Sequence, residues 1–217
     1  MIIILAMTSM VRTNKCGFDP DAANNKWRNP SDWLQRFWEP CIDCCHQRRI
    51  GNKGEGGKWV CLDHAHALNN TAVISVGSGN DFSFEMEVQK LGISHIDTYD
   101  HTSNPPLTPI EGLAFHREII TSHSLTKAIR RIANTGKRLS VFKIDCEGCE
   151  YSVFTSEILS FFAYQKTQVL VELHFNNPIR TTKLWRHFTE NGCYTFHKEA
   201  NLIGVRAMEF AMQCDLA

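Results

Sequence analysis

The sequence has no net charge: 23 lysines and arginines offset 23 aspartates and glutamates in 217 residues. That balance removes the global pull that draws basic chains to nucleic acid or anionic membranes. No apolar run approaches the roughly 20 residues that a membrane-spanning helix needs. The opening stretch Met1-Ile2-Ile3-Ile4-Leu5-Ala6-Met7 is too short and has no basic residue before it. It reads as a loose terminus or as the stump of a targeting signal or anchor. Internal repeats and low-complexity tracts are missing, and the length suits one domain.

Cysteine is not scarce. There are nine, an odd number that leaves at least one unpaired if the rest form disulfides. Cys146, Cys149, Cys193 and Cys214 fall in apolar segments and read as small buried hydrophobes. Cys41-x-x-Cys44 followed by Cys61-x-x-His64 has the spacing of a four-ligand zinc site. Against zinc, Cys41 and Cys44 fall on an expected helix and Cys45 competes. Free buried thiols are the first reading of this cluster, a disulfide the second and zinc the last, so no metal is expected.

Residues 1–30 read as an irregular lead-in around Pro20 and Pro30, and residues 31–217 as one folded domain. Within it, 31–61 supplies an accessory helix and a glycine-rich loop. Ser31 caps the helix, Trp33, Leu34, Phe37 and Cys41 form its apolar stripe, and Pro40 kinks or ends it. The loop, Ile50 to Gly57, lacks the Lys-Ser or Lys-Thr pair of a phosphate cradle and reads as a plain turn, with a lid as the alternative. Lys58 to Cys61 is strand-like.

From residue 71 strands and helices alternate. Strands are expected at Thr71–Val76, Ser94–Tyr99, Leu113–Ile120, Leu139–Ile144 and Gln168–Phe175. Helices are expected at Asp81–Leu91, Ser124–Asn134, Cys149–Phe162 and Thr182–Asn191, the last stopped by Gly192. Tyr194–His197 and Met208–Met212 close the chain as an antiparallel hairpin. The fold class is therefore α/β: a Rossmann-like, mostly parallel sheet with helices on both faces.

The sharpest motif is Val76-Gly77-Ser78-Gly79-Asn80-Asp81, a strand that runs through a Gly-x-Gly turn into a helix. Ligands bind at such strand ends, and Asp100, ending the next strand with His101 after it, is placed to accept from ribose hydroxyls. A dinucleotide fingerprint wants glycine three positions after Gly79, where this chain has Phe82. A cofactor without a pyrophosphate, S-adenosylmethionine, fits better. The candidate cofactor set is Gly77, Ser78, Gly79, Asp100, His101 and Asp145.

Two further strands deliver acids to the same edge. One ends Lys143-Ile144-Asp145-Cys146-Glu147-Gly148-Cys149-Glu150, and the other runs Val171-Glu172-Leu173-His174, where alternation sends Glu172 and His174 to one side. The first resembles the signature of FkbM-like methyltransferases, and the second the Glu-x-His strand that follows it there. The wider pattern from Gly56-Gly57-Lys58-Trp59-Val60-Cys61 through Gly77 and Gly79 to Phe196-His197-Lys198-Glu199 and Glu209-Phe210 resembles the methyltransferase-like domain family of eukaryotic secretory and membrane proteins. Glu55 stands where that family suggests aspartate, and no anchor segment is read.

The resemblance covers about residues 31 to 214 and implies a seven-stranded class I sheet. It puts Gly77, Gly79 and Asp100 on the cofactor, Asp145 beside the transferred methyl, and a cysteine of the cluster in a disulfide with Cys61. It also implies a secretory-lumen or membrane-associated location, with the cytoplasm as the alternative. The function expected is methyl transfer from S-adenosylmethionine to an unidentified acceptor, O-methylation favoured. Asp145 or His174 is the expected base, and Glu147 and Glu172 orient the acceptor. Acids at strand ends also cap neighbouring loops, so each of these four has an equally open structural reading. A non-catalytic binding protein and a nicotinamide-dependent oxidoreductase are the alternatives.

Overall fold

A computed structural model describes residues 40–53, 55–174, 178–201 and 207–215; the lead-in and most of the helix expected from Ser31 lie outside them. The central strand is β3 (Ala72–Val76), whose five residues are all buried. A parallel strand covered on both faces needs such an unbroken apolar run. It pairs in parallel with β4 (His95–Tyr99) and β6 (Leu139–Ile144). Outside these lie β5 (Leu113–His116) and β7 (Gln168–His174), also parallel, then β9 (Ala207–Cys214) and β8 (Cys193–Asn201), both antiparallel. The seven-stranded order is β5-β4-β3-β6-β7-β9-β8. The chain reverses direction across the sheet between β3 and β6, which opens a crevice at their C-terminal ends.

Alternation along the strands sorts two cores. On one face Ala72, Ile74 and Val76 pack with α2 (Ser122–Asn134), α4 (Ser156–Gln165) and α5 (Pro178–Glu190). On the other, Val73, Val141 and Leu170 pack with Phe84 and Val88 of α1 (Ser83–Lys90) and with a hairpin, β1 (Gln47–Ile50) and β2 (Lys58–Cys61). Strand β1 was not anticipated. The glycine-rich segment is the turn of this hairpin, and it docks on the start of α1. Gly51 N donates to Glu87 Oε2 at 2.9 Å and Asn52 N to Ser83 Oγ at 2.9 Å.

Several expectations need correction. The helix expected over 149–162 is two, α3 (Glu150–Val153) and α4, because Phe154 is extended and the Thr155 side chain caps α4 by accepting from Ile158 N. Helix α1 starts two residues late because the Asp81 side chain accepts from Ser83 N at 2.8 Å. Helix α2 starts earlier than expected, on a reciprocal Thr121–Ser124 cap. Strand β5 stops at His116. Cys41 and Cys44 are not helical.

Cysteine pairing bears out the disulfide that the resemblance implied at Cys61, and departs from expectation at Cys146, Cys149, Cys193 and Cys214. Cys44 is bonded to Cys61, Cys193 to Cys214 and Cys146 to Cys149, so these six are neither free thiols nor zinc ligands. The ladders explain two bridges: β1 pairs Gln47 with Cys61, bringing Cys44 close, and the β8–β9 register sets Cys193 opposite Cys214. Cys45 is an exposed free thiol.

Candidate active site at the strand ends

The Gly-x-Gly turn is built for close approach. Gly77 has a φ of +77°, and a Cβ there would lie 1.7 Å from the carbonyl oxygen of Asp145, so only glycine lets the ends of β3 and β6 meet. Gly79, at φ +55°, faces open space. The buried Lys143 ammonium donates to Gly77 O at 2.7 Å and fixes the turn from below.

Asp100 stands beside this turn with both carboxylate oxygens engaged. Its two oxygens accept seven hydrogen bonds, from Ser78 N and Oγ, Gly79 N, Thr102 N and Oγ1, and Ser103 N and Oγ. A carboxylate offers about four lone-pair directions, so these donors fill it. Burial raises its pKa, but the donors, Ser103 and Thr102 foremost, outweigh burial and hold it well below the carboxylate range. In this arrangement Asp100 braces the turn, with Ser78 buried against it and His101 exposed.

At the ends of β6 and β7 the four expected catalytic residues come together. His174 Nε2 lies 3.3 Å from Glu147 Oε2 and 3.9 Å from both Asp145 Oδ1 and Glu172 Oε1. Its Nδ1 is 3.0 Å from Glu150 Oε1. Burial alone lowers the imidazole pKa, but the Glu150 hydrogen bond and the charges of Glu150, Glu147 and Asp145 push it up to about 9. That shift favours the charged imidazolium near neutral pH and makes Asp145 the better placed of the two expected bases. The Asp145 carboxyl is raised as well, above the usual carboxylate range, by burial and the Glu172 charge against the pull of Lys58.

Lys58 was read only as part of a strand. From β2 it reaches under the sheet edge, 2 % exposed, and donates to Glu172 Oε2 at 2.7 Å and Glu209 Oε1 at 2.9 Å, with Asp145 Oδ2 at 3.3 Å. Burial penalises the ammonium, but the three carboxylates reverse the effect and raise its pKa. Lys58 and an Asn201 donor keep Glu172 ionised against burial. Arg49 pairs with Glu209 and Glu199, adding a second cation. A charged residue inside the apolar run Ala207-Met208-Glu209-Phe210 was the available signal, since a buried charge requires a partner.

Asp145, Glu147 and His174 each offer a ligand atom within 4.8 Å of the others, a spacing that suits a metal ion. A protonated imidazole does not coordinate, so a metal there competes with the proton on His174. Carboxylates still outnumber the cations Lys58, Arg49 and His174, and the cleft favours a positively charged or neutral guest.

A family model described as a methyltransferase domain matches residues 5–103 and 97–213. No curated protein matches the chain. Among solved structures it is similar to a candidate hemolysin from Lactococcus lactis, with TM-score 0.48 and 12% identity over 71% of this chain and 83% of that one. The fibrillarin pre-rRNA processing protein of Methanococcus jannaschii gives TM-score 0.45 and 6% identity over 80% and 84% of the two chains. A ribosomal protein L11 methylase from Lactobacillus delbrueckii subsp. bulgaricus gives 0.36 and 16% over 69% and 72%.

Proposed function

The chain belongs to the methyltransferase-domain family, and from that premise we propose that it moves a methyl group from S-adenosylmethionine to a hydroxyl acceptor at the C-terminal ends of β3, β6 and β7. The observation that carries the acceptor class is the Asp145 carboxyl, raised by burial and set 3.9 Å from the His174 imidazolium. A base with a raised pKa suits proton removal from a hydroxyl near neutral pH.

The residues present fit the cofactor. Gly79 and Gly148 border open space, and the excess of carboxylates suits a sulfonium cation. Gly77, Ser78 and Gly79 would hold it along their backbone, with Asp100 fixing the turn; direct ribose contact would require Asp100 to release some of its seven donors. His101, exposed beside the turn, is the remaining candidate on that side. When bound, S-adenosylmethionine supplies an electrophilic methyl on a good leaving group.

The chain's own residues then do three things. Asp145 takes the proton as the acceptor O–H becomes O–CH3. His174, charged and oriented by Glu150, stabilises the Asp145 carboxylate before the transfer and the acceptor oxygen during it. Glu172, neutralised by Lys58, and Glu147 at the rim orient the acceptor. Alignment and exclusion of water account for most of such a displacement.

The paired cysteines support a location in an oxidising compartment, where disulfides persist. Among the described residues no helix is long and apolar enough to cross a membrane. The test of function is transfer of labelled methyl from S-adenosylmethionine to a panel of hydroxyl, amine and thiol acceptors. Label on hydroxyls, lost in Asp145→Asn, is expected; label confined to amines or thiols would overturn the acceptor class.

A further inference from the structure

The loop that carries Glu147 is closed by a bond the methyl-transfer reading does not use. We propose that Cys146 and Cys149 form a redox couple, reduced by dithiols, whose state sets where Glu147 stands against His174. The bridge spans only Glu147 and Gly148, with its Cα atoms 5.5 Å apart. Both spanned residues are left-handed, Glu147 at φ +56° and Gly148 at φ +116°. For glutamate that conformation is unfavourable and persists only where the surroundings impose it. The bridge is such a constraint, and Glu147 points its carboxylate at His174 Nε2 from within it.

Two observations distinguish this bridge from the other described ones. Cys146 and Cys149 are half-buried at the mouth of the crevice, whereas Cys44, Cys61, Cys193 and Cys214 are all core residues. Exchange needs a thiolate to reach a disulfide sulfur, so the half-buried pair reacts before the core pairs. Ring size acts in the same direction, because the sequence separation is 3 here against 17 and 21 for the others. Closing a shorter loop removes less entropy from the unfolded chain, so opening this bridge costs the fold less than opening either of the others.

The coupling to the site is direct. Cys146 N donates to Glu150 Oε1 at 3.1 Å, the same oxygen that holds His174 Nδ1. In the exchange, one thiolate of the dithiol attacks the Cys146–Cys149 bond and forms a mixed disulfide, which its second thiol resolves. Two electrons pass from the dithiol, which leaves as its own disulfide, and two protons end on the Cys146 and Cys149 sulfurs. The released loop lets Glu147 leave the left-handed region and withdraw from His174.

This inference goes beyond methyl transfer, and its readouts do not require it. The full chain, without denaturant, is equilibrated in stepped ratios of reduced to oxidised dithiothreitol, alkylated and analysed by peptide mass. Cys146 and Cys149 are expected to label together at ratios where Cys44, Cys61, Cys193 and Cys214 stay protected, with Cys45 labelled throughout. The His174 imidazole resonances, followed by NMR at one fixed pH, are expected to move on reduction as the Glu147 carboxylate withdraws. A Cys146→Ser, Cys149→Ser double variant should keep the reduced-protein positions in both conditions. Labelling of Cys146 and Cys149 in untreated protein, their reduction only together with the core pairs, or His174 resonances indifferent to the bridge would each overturn the proposal.

Discussion

Glu150 Oε1 stands 3.0 Å from His174 Nδ1, and the Glu150 side chain is wholly buried. A histidine so paired keeps its charge to higher pH than a free imidazole. Its pKa of about 9 lies above the unfolded value of about 6.5. The stability it contributes is therefore complete below about pH 6.5 and fades as pH rises through about 9. In urea unfolding, the stability gap between the parent protein and His174→Gln should be widest near pH 6 and shrink by about pH 10. A gap that stays constant across that range would show that His174 is neutral in the fold.

Asp145 is the base in this account. Asp145→Asn should reduce the rate of transfer to a hydroxyl acceptor by about 10² to 10⁴, with S-adenosylmethionine affinity nearly unchanged. In the parent enzyme, kcat should rise with pH as the Asp145 carboxyl ionises, above the usual carboxylate range because burial raises it. Stopped assays across pH with labelled cofactor measure both effects. A flat profile with an unchanged rate in the variant would assign the proton to another group.

Lys58 holds Asp145, Glu172 and Glu209 together from beneath the sheet edge. Lys58→Met removes the cation and leaves buried carboxylates facing one another, a loss of about 3 to 5 kcal/mol by analogy with broken buried pairs. Adding Glu209→Gln should restore part of it, because one of the stranded charges is then gone. Urea midpoints of the single and double variants test the coupling, and equal midpoints would mean that Glu209 is not part of the network.

The two turn glycines should respond oppositely in size. Gly77→Ala drives a Cβ to 1.7 Å from Asp145 O and should prevent folding or shift β6. Gly79→Ala meets no atom within 4 Å and bears only the strain of a φ of +55°, about 1 kcal/mol. Thermal melts of both variants check this, and similar melting points would contradict the close approach of β3 and β6.

The sheet was readable because parallel strands leave runs such as Ala72-Val73-Ile74-Ser75-Val76 uninterrupted, and Gly77, Asp145, Glu172 and His174 follow at predictable strand ends. What pairs with them was not. Lys58 and Glu209 lie 151 residues apart and meet only because β2 packs across β7 and β9, a long-range consequence no local pattern encodes. Charges inside apolar strands, Lys143, Glu172 and Glu209, were the local sign that buried partners exist. The Cys193–Cys214 bridge was implicit in the closing hairpin, since the cysteines flank its two apolar strands; Cys146–Cys149 had no such cue because it crosses a turn instead of a ladder. Asp100 was found by position, but its seven donors depend on how the loop after β4 folds back, which composition does not reveal.

The central claim, that the Gly77–Gly79 turn takes S-adenosylmethionine, is tested most directly by isothermal titration of the folded chain with S-adenosylmethionine and, in parallel, with NAD. One S-adenosylmethionine per chain and no NAD is the predicted result. Asp100→Ala, which unbraces the turn, should weaken binding roughly ten- to hundredfold. Heat from NAD at this turn, or none from S-adenosylmethionine with folded protein, would contradict the account.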